Sequence, residues 1–342
     1  MTSSPTVQRH RIAVRSADLG RRLDTFLVCA VAAVLGNRIF LVITGYPQLG
    51  NGTLHISHAI WGALMMMIAL VAAIAFLPPS TRAFVAFLGG AGFGWFIDEL
   101  GKFITRDVNY FFEPAIALIY MTFVAMYLVF RALARRSYGP DEGLLNGIEA
   151  LKAAAIGQLD EPARRGALAL LDETAPTGPL ALKVRALLED TPALPARDPR
   201  WPARVTHRVH AYYLGMTDRP WFVQAVDTVF VLVTAVFVAE ALAVSLDGPG
   251  ITRFSERATV ASSIVTGGLF LFGVIDLRRS RLRAYRWFER GLLVTIFVTQ
   301  VFAFAEEQLA GVFGLAIALL MWATLRSAVK AEQERLAVSP ST

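Results

Sequence analysis

Residues 56–77 read ISHAIWGALMMMIALVAAIAFL, a run of 22 residues without a single aspartate, glutamate, lysine or arginine. A helix needs about 20 mostly apolar residues to cross the hydrocarbon core of a bilayer. This stretch therefore predicts a transmembrane helix, and its one ionisable side chain, His58, lies close to the start of that helix.

Similar apolar runs occur on both sides of this stretch. The chain is 55% hydrophobic and only 18% charged, with a mean hydropathy of +0.51, whereas soluble domains carry roughly 25% charged residues. The predicted fold class is an all-α integral membrane protein with about eight transmembrane helices, embedded in the lipid bilayer. The other seven segments are 24–45, 82–104, 114–134, 222–245, 257–276, 285–306 and 308–327.

The distribution of lysine and arginine predicts how these helices are oriented. The arm 1–23 is basic, arginines lie at the end of the fourth segment or directly after it, at 131, 135 and 136, and 277–283 reads LRRSRLR. Since cytoplasmic loops are enriched in positive charge, we expect the N-terminal arm and the tail 329–342 to be cytoplasmic, in the plasma membrane. The net charge of +6 is then a property of topology, and no nucleic-acid partner is predicted.

The two apolar regions, 24–136 and 221–328, resemble each other. RAFVAFLGGAGFGWFIDE at 82–99 parallels RGLLVTIFVTQVFAFAEE at 290–307, with arginine first and an acidic pair last in both. An even number of spans in each region predicts two parallel four-helix repeats. The alternative is chance similarity between apolar helices.

Between the two regions lies a polar insert, 137–220. It contains three short amphipathic helical patterns separated by proline and glycine, followed by a proline-containing linker and an amphipathic stretch that we expect at the membrane interface. These features predict a small helical bundle on the cytoplasmic face. This bundle is also a candidate binding site for a cytoplasmic protein partner.

Histidine and carboxylate side chains are predicted to meet near the extracytoplasmic side. His55 and His58 share one helical face at a spacing of three residues, and Asp98 lies about 24 Å from Arg82 along its helix. His55, His58 and Asp98 are therefore candidate ligands for a divalent transition metal such as Zn, Fe or Mn. The alternatives are a metal-free polar site, or an ion-paired helix cap in which Lys102 pairs with the acidic residues.

Arg38 lies about fifteen residues into the first span, where an unpaired arginine costs about 2.5–3.5 kcal/mol. A carboxylate partner is therefore predicted. Glu240 is favoured because the repeat puts it at a similar depth, and Asp98 and Glu306 are the other choices. The candidate substrate-binding residues are Arg38, Lys102, Arg106, Glu240, Glu306 and Glu307.

Three functions fit these residues. The leading hypothesis is transport or permeation of a small solute or ion through a polar site between the two halves. The second is a membrane-embedded metal-dependent enzyme acting on a lipid-linked or extracytoplasmic substrate, with Glu99 as general base. The third is a non-catalytic scaffold or sensor that signals through the insert. The chain has no Walker-type loop, nucleophile elbow or HExxH motif.

Overall fold

The structure of the protein is a computed structural model that describes residues 14–44, 57–100, 104, 114–195, 220–247, 254–306 and 310–338. Within these ranges the regular structure is helical, and the one strand-like feature is an isolated bridge between Asp160 and Leu194. The all-α prediction is confirmed for this part of the chain. The helices are α1 (Leu19–Thr44), α2 (His58–Ala75), α3 (Pro79–Asp98), α4 (Pro114–Ala134), α5 (Pro140–Ala155), α6 (Glu161–Thr174), α7 (Pro179–Asp190), α8 (Pro220–Asp247), α9 (Phe254–Leu277), α10 (Arg281–Val294), a π-helical turn (Thr295–Thr299), α11 (Gln300–Glu306) and α12 (Ala310–Val338).

Seven helical segments in the described ranges are long and apolar enough to cross a membrane. They lie in α1, α2, α4, α8, α9, the continuous run from α10 through the π turn into α11, and α12. The protein is therefore a multi-pass α-helical membrane protein. The predicted third span, α3, is not among the seven because its four glycines and its polar ends lower its hydropathy, so the count of eight is not confirmed.

Glycines bring α3 close to both of its neighbours. A side chain at Gly90 or Gly94 would fall against a backbone carbonyl of α1, at Phe26 and Ala30 respectively. On the other side, a Cβ atom at Gly62 of α2 would lie 2.6 Å from the Gly92 carbonyl oxygen. Small residues let membrane helices approach backbone to backbone. The sequence GGAGFG therefore places α3 tightly between α1 and α2.

Helices α5–α7 form a three-helix bundle at the position of the three amphipathic patterns. Its core contains Leu159, Leu171, Val184 and Leu188, and Leu188 has no exposed surface. The Asp160 side chain accepts a 2.9 Å hydrogen bond from a backbone N–H in the first turn of α6, which is the usual role of an N-cap residue. The predicted interfacial stretch that follows lies outside the described residues.

Arg15 attaches this bundle to the beginning of α1 and the end of α4. Its guanidinium contacts both oxygens of Glu142 on α5, at 2.8 and 2.9 Å, and also donates to the carbonyls of Arg136 and Ser137. A second ion pair joins Arg82 on α3 to Glu149 on α5 at 2.8 Å. The insert is thus held at the ends of α1, α3 and α4 by charge-assisted hydrogen bonds.

Aromatic side chains build the core shared by α8, α9 and α10. The rings of Phe230 and Phe288 stack with centroids 4.4 Å apart, and Phe270 meets Phe230 edge-on at 5.6 Å. The Tyr285 hydroxyl, beside them, donates to Asp227 at 3.0 Å. Here the rings of Phe288 and Phe270 pack against Gly273 and Gly291, whereas at α3 glycine packs against the backbone of its neighbours.

The chain forms two compact units, one from Met1–Glu99 with Ala125–Asp198 and the other from Leu100–Val124 with Pro199–Thr342. Helix α4 contributes residues to both units. In the first unit glycines of α3 pack against backbone, and in the second unit glycines pack against phenylalanine rings. The relationship between the two halves as a repeat stays a prediction.

Candidate functional site

Five polar side chains meet at the end of α1–α3 that is remote from the insert. Residues 37 and 38 of α1 lie about 28 Å along the helix from Leu19, and the end of α3 lies about 24 Å from Arg82. Helix α2 begins beside them. We call this group the far-end cluster; its members are Asn37, Arg38, His58, Asp98 and Glu99.

Asp98 is held by two donors from α1. Arg38 Nε donates to Oδ1 at 2.6 Å, and Asn37 Nδ2 donates to Oδ2 at 2.7 Å. The Asp98 side chain has no exposed surface, whereas that of Arg38 is 20% exposed. A buried carboxylate is tolerated when it is both paired and hydrogen-bonded. Asn37 and Arg38 together satisfy both conditions.

Glu99 contacts the beginning of α2. Its Oε1 lies 3.2 Å from His58 Nδ1, and its side chain is completely buried while that of His58 is 17% exposed. The Ser57 side chain caps α2 by accepting from the Ala59 N–H at 3.3 Å, so His58 is the first helical residue. The partial positive charge of a helix N-terminus favours a nearby carboxylate. Glu99 therefore lies beside both the His58 imidazole and the N-terminal turn of α2.

Asp98 and Glu99 contact different helices although they are adjacent in sequence. Successive side chains on a helix point about 100° apart, so Asp98 faces α1 and Glu99 faces α2. The close approach at the α3 glycines makes these contacts possible from both sides. The far-end cluster is thus a line of polar side chains across α1, α3 and α2.

The structure brings together four of the residues predicted from sequence to form a site: Arg38, His58, Asp98 and Glu99. Of the three partners considered for Arg38, the structure pairs it with Asp98. The backbones of Glu240 and Glu306 lie in α8 and α11, but their side chains are outside the described part of the structure. His55, Lys102, Arg106 and Glu307 also lie outside the described residues.

The described residues contain no group of three or more histidine, cysteine, aspartate or glutamate side chains arranged to hold a metal ion. Asp98, His58 and Glu99 are the side chains of the far-end cluster with metal-binding chemistry, and both carboxylate oxygens of Asp98 also accept hydrogen bonds from α1. The metal site predicted from sequence includes His55, which lies outside the described residues, so this site stays a prediction.

Asn37 is the member of the cluster that the sequence did not identify as a site residue. Its position in the sequence, next to an arginine in the apolar part of a helix, could have indicated a site residue. In the structure its side chain is a buried amide, 4% exposed. Buried polar groups need hydrogen-bonding partners, and Asn37 supplies the second donor to Asp98.

No protein-family model, curated protein or solved structure matches this chain. The chemistry of the far-end cluster therefore carries the functional conclusion.

Proposed function

We propose that the protein transports or conducts a small cation, and that the far-end cluster is its binding site on the extracytoplasmic side. This places the N-terminus, the C-terminus and the insert in the cytoplasm of a plasma-membrane protein, in keeping with the positive charge of the connecting segments. Ionisable side chains within membrane helices are costly and mark ion or substrate paths in many membrane proteins.

The contact between His58 and Glu99 is the observation that carries the proposal. Among the four ionisable side chains of the cluster, Arg38 and Asp98 form an ion pair, and protonation of His58 adds one positive charge beside Glu99. Because Glu99 is fully buried, the low local dielectric makes that difference of one charge energetically large. A proton on His58 and a small cation beside Glu99 are therefore alternative ways of neutralising the same site.

The two pairs of side chains in the far-end cluster then have different roles. The Arg38–Asp98 pair is already neutral and hydrogen-bonded, so it fixes the spacing of α1 and α3 and positions Glu99. Glu99 and His58 are the exchangeable pair. Lys102, Arg106, Glu240, Glu306 and Glu307 are proposed as further polar groups along the path of the cation.

Reconstituted vesicles with an entrapped pH-sensitive dye test this function. A potassium-diffusion potential is applied with Na⁺ or K⁺ chloride outside, and proton movement is recorded for the wild type, Glu99→Gln and His58→Gln. Asp24→Asn is the matched control, since Asp24 is an exposed carboxylate on α1. We expect flux in the wild type and the control, and loss to the level of protein-free vesicles in both cluster variants.

Two results would overturn this proposal: no flux in any wild-type condition, or equal flux in the wild type and a folded Glu99→Gln variant. Folding is checked for each variant by its elution volume and its unfolding temperature in detergent. His58→Gln keeps the test informative if Glu99→Gln does not assemble.

A metal-dependent enzyme is the second candidate, favoured by the 3.2 Å contact between an imidazole and a buried carboxylate. As predicted from sequence, His55, His58 and Asp98 would be the metal ligands of this enzyme, and Glu99 would be its general base. Metal that remains bound to the purified wild type and is lost in His55→Ala would favour this enzyme over a transporter.

The insert remains a predicted binding site for a cytoplasmic protein. Its attachment through Arg15 and Arg82 to α1, α3 and α4 is what a partner-dependent scaffold or sensor would need. Removing the contact between Arg15 and Glu142 while measuring flux separates this role from transport. Releasing the insert removes no residue of the far-end cluster, so a transporter should keep its flux.

A further inference from the structure

A row of arginines follows one side of α10 in the second unit. Residues 278–290 read RRSRLRAYRWFER, with six arginines and one glutamate. Arg283, Arg286 and Arg290 are spaced by three and four residues within α10, so they share one helical face, and all three are exposed. We call these three residues the arginine face.

The arginine face points away from the core of its unit. The buried side chains of this part of α10 belong to Ala284, Tyr285, Phe288 and Leu292. At about 100° per residue, their mean direction lies about 180° from that of the arginine face. The preference for positive charge in cytoplasmic loops concerns the number of charges. It does not explain why three arginines line up on the outward side of a membrane helix.

The carboxylates near this face are bound elsewhere. Asp227 of α8 accepts from Arg281 at 3.3 Å and from the Tyr285 hydroxyl at 3.0 Å. Asp276 accepts from the Trp287 indole N–H at 3.2 Å. Within the described ranges, none of the three arginines of the arginine face forms an ion pair with a carboxylate. Their guanidinium N–H groups therefore face outward, available to an anion from outside the chain.

Trp287 fixes the arginine face at the membrane boundary. The Arg290 guanidinium lies over the Trp287 ring, 4.7 Å from its centroid, and this ring lies 5.6 Å from that of Phe272 on α9. Tryptophan is enriched where headgroups meet hydrocarbon. A stacked guanidinium is held in place and still presents its N–H groups at its edge.

The length of the apolar part of this span gives the same depth. Residues 291–305 are 15 consecutive residues without a charged side chain, or about 22 Å of helix at 1.5 Å per residue. The hydrocarbon core is about 30 Å thick. The turn that carries Arg286 and Arg290 is therefore needed to complete the span, which places these two arginines at the level of the lipid phosphates.

The geometry points to a binding site for an anionic phospholipid on the arginine face, with Arg286 and Arg290 donating to the headgroup phosphate and Arg283 beside them. Arginine matches the oxygens of a phosphate with a pair of parallel N–H donors, and arginines one turn apart are close enough to share one phosphate. The acyl chains of the same lipid would lie along the uncharged stretch 291–305. A lipid with net negative charge, such as phosphatidylglycerol, is favoured over zwitterionic phosphatidylcholine because the face carries positive charge only.

Thermal unfolding of the full chain in a neutral detergent tests this site, because a lipid that binds only the folded state stabilises it by mass action. Tenfold excess over the dissociation constant raises the folded-to-unfolded ratio about elevenfold. We expect the unfolding temperature to rise saturably with added phosphatidylglycerol. The rise should be smaller with phosphatidylcholine at the same lipid concentration, and absent with inorganic phosphate.

Arg286→Gln/Arg290→Gln is the test variant. Each arginine near an anionic headgroup contributes about 1 kcal/mol, so losing two should weaken phosphatidylglycerol binding about thirtyfold. Neither arginine has a carboxylate partner among the described residues, so the variant should unfold close to the wild type when no lipid is added.

Arg278→Gln/Arg279→Gln is the matched control. It removes the same charge from two exposed positions in the turn before α10, off the arginine face. Its dissociation constant for phosphatidylglycerol should change less than about threefold, because exposed charges away from the bound phosphate are screened over about 8 Å at physiological ionic strength.

Three results would overturn the inference. Equal stabilisation by phosphatidylcholine would mean that headgroup charge is not recognised. Equal stabilisation by inorganic phosphate would mean that the ligand is a free anion. Equal weakening in the test and control variants would mean that total positive charge, and not the arginine face, attracts the lipid. The inference is independent of the proposed transport function, since Glu99→Gln should keep the response to phosphatidylglycerol.

Discussion

The Asp98→Asn substitution tests the role of the far-end cluster in stability. The variant keeps the shape of the side chain but removes its charge, which leaves the Arg38 guanidinium without its 2.6 Å carboxylate partner. Removing one member of a buried ion pair costs about 3–5 kcal/mol. Because Arg38 remains 20% exposed to solvent, we expect the lower end, about 3 kcal/mol of unfolding free energy.

Thermal unfolding in detergent, followed by tryptophan fluorescence at a fixed heating rate, measures this loss. At about 2 °C per kcal/mol for a chain of this size, the unfolding temperature should fall by about 6 °C. The double variant Arg38→Met/Asp98→Asn removes both charges, and we expect it to recover about two-thirds of the loss, because no unpaired charge remains buried.

Asp24→Asn is the control for the loss of a carboxylate from an exposed position of the same bundle, and it should unfold within about 1 °C of the wild type. If Asp98→Asn unfolds equally close to the wild type, the Arg38–Asp98 pair does not stabilise the fold. If the double variant is less stable than the single one, loss of the carboxylate partner of Arg38 does not explain the destabilisation by Asp98→Asn.

Three further predictions concern packing, the insert and metal content. Gly94→Ala forces a methyl group against a backbone carbonyl of α1 and should cost about 1–3 kcal/mol, whereas Gly36→Ala, which meets nothing within 4 Å, should leave the unfolding temperature unchanged or raised. Glu142→Gln should destabilise the attachment of the insert by about 2 kcal/mol at pH 6, because the Arg15 side chain and two backbone N–H groups lower the pKa of Glu142 to about 2. A carboxylate with a lowered pKa stabilises the folded state at pH values above its ordinary pKa near 4.5. The difference in stability between wild type and Glu142→Gln should therefore shrink as the pH falls from 4.5 towards 2. A stability difference that does not change with pH would contradict this explanation. Elemental mass spectrometry of the purified protein should find less than one transition metal per chain, and a stoichiometric metal that is lost in His55→Ala would instead support the enzyme.

The membrane character of the protein was predictable because hydropathy is summed over consecutive residues. Helix α2 needs no knowledge of its neighbours: the run HAIWGALMMMIALVAAIA has no strongly charged residue and is long enough to span the hydrocarbon core. Helix α3 shows the limit of that method. Its glycines lower its hydropathy, yet they are also the residues that allow its close contacts with α1 and α2.

Four of the five members of the far-end cluster were predictable from the sequence, whereas Asn37 and the pairing of the side chains were not. The cost of burying charge identifies Arg38, Asp98 and Glu99 as residues that need partners, and the sequence shows that cost directly. It offered three carboxylates for Arg38 and grouped Asp98 with the histidines. Which carboxylate meets which cation depends on the rotation and approach of helices that are 60 residues apart in the chain.

The sequence by itself therefore determined that the chain crosses a membrane several times and which charged side chains lie within apolar helices, since both follow from local composition. Only the tertiary structure decided that Asp98 binds Asn37 and Arg38 while Glu99 binds His58. The physical reason is that neighbouring positions on one helix point about 100° apart. The side chain that each carboxylate meets is set by the backbone contacts of α3, at Gly94 against α1 and at Gly92 against α2.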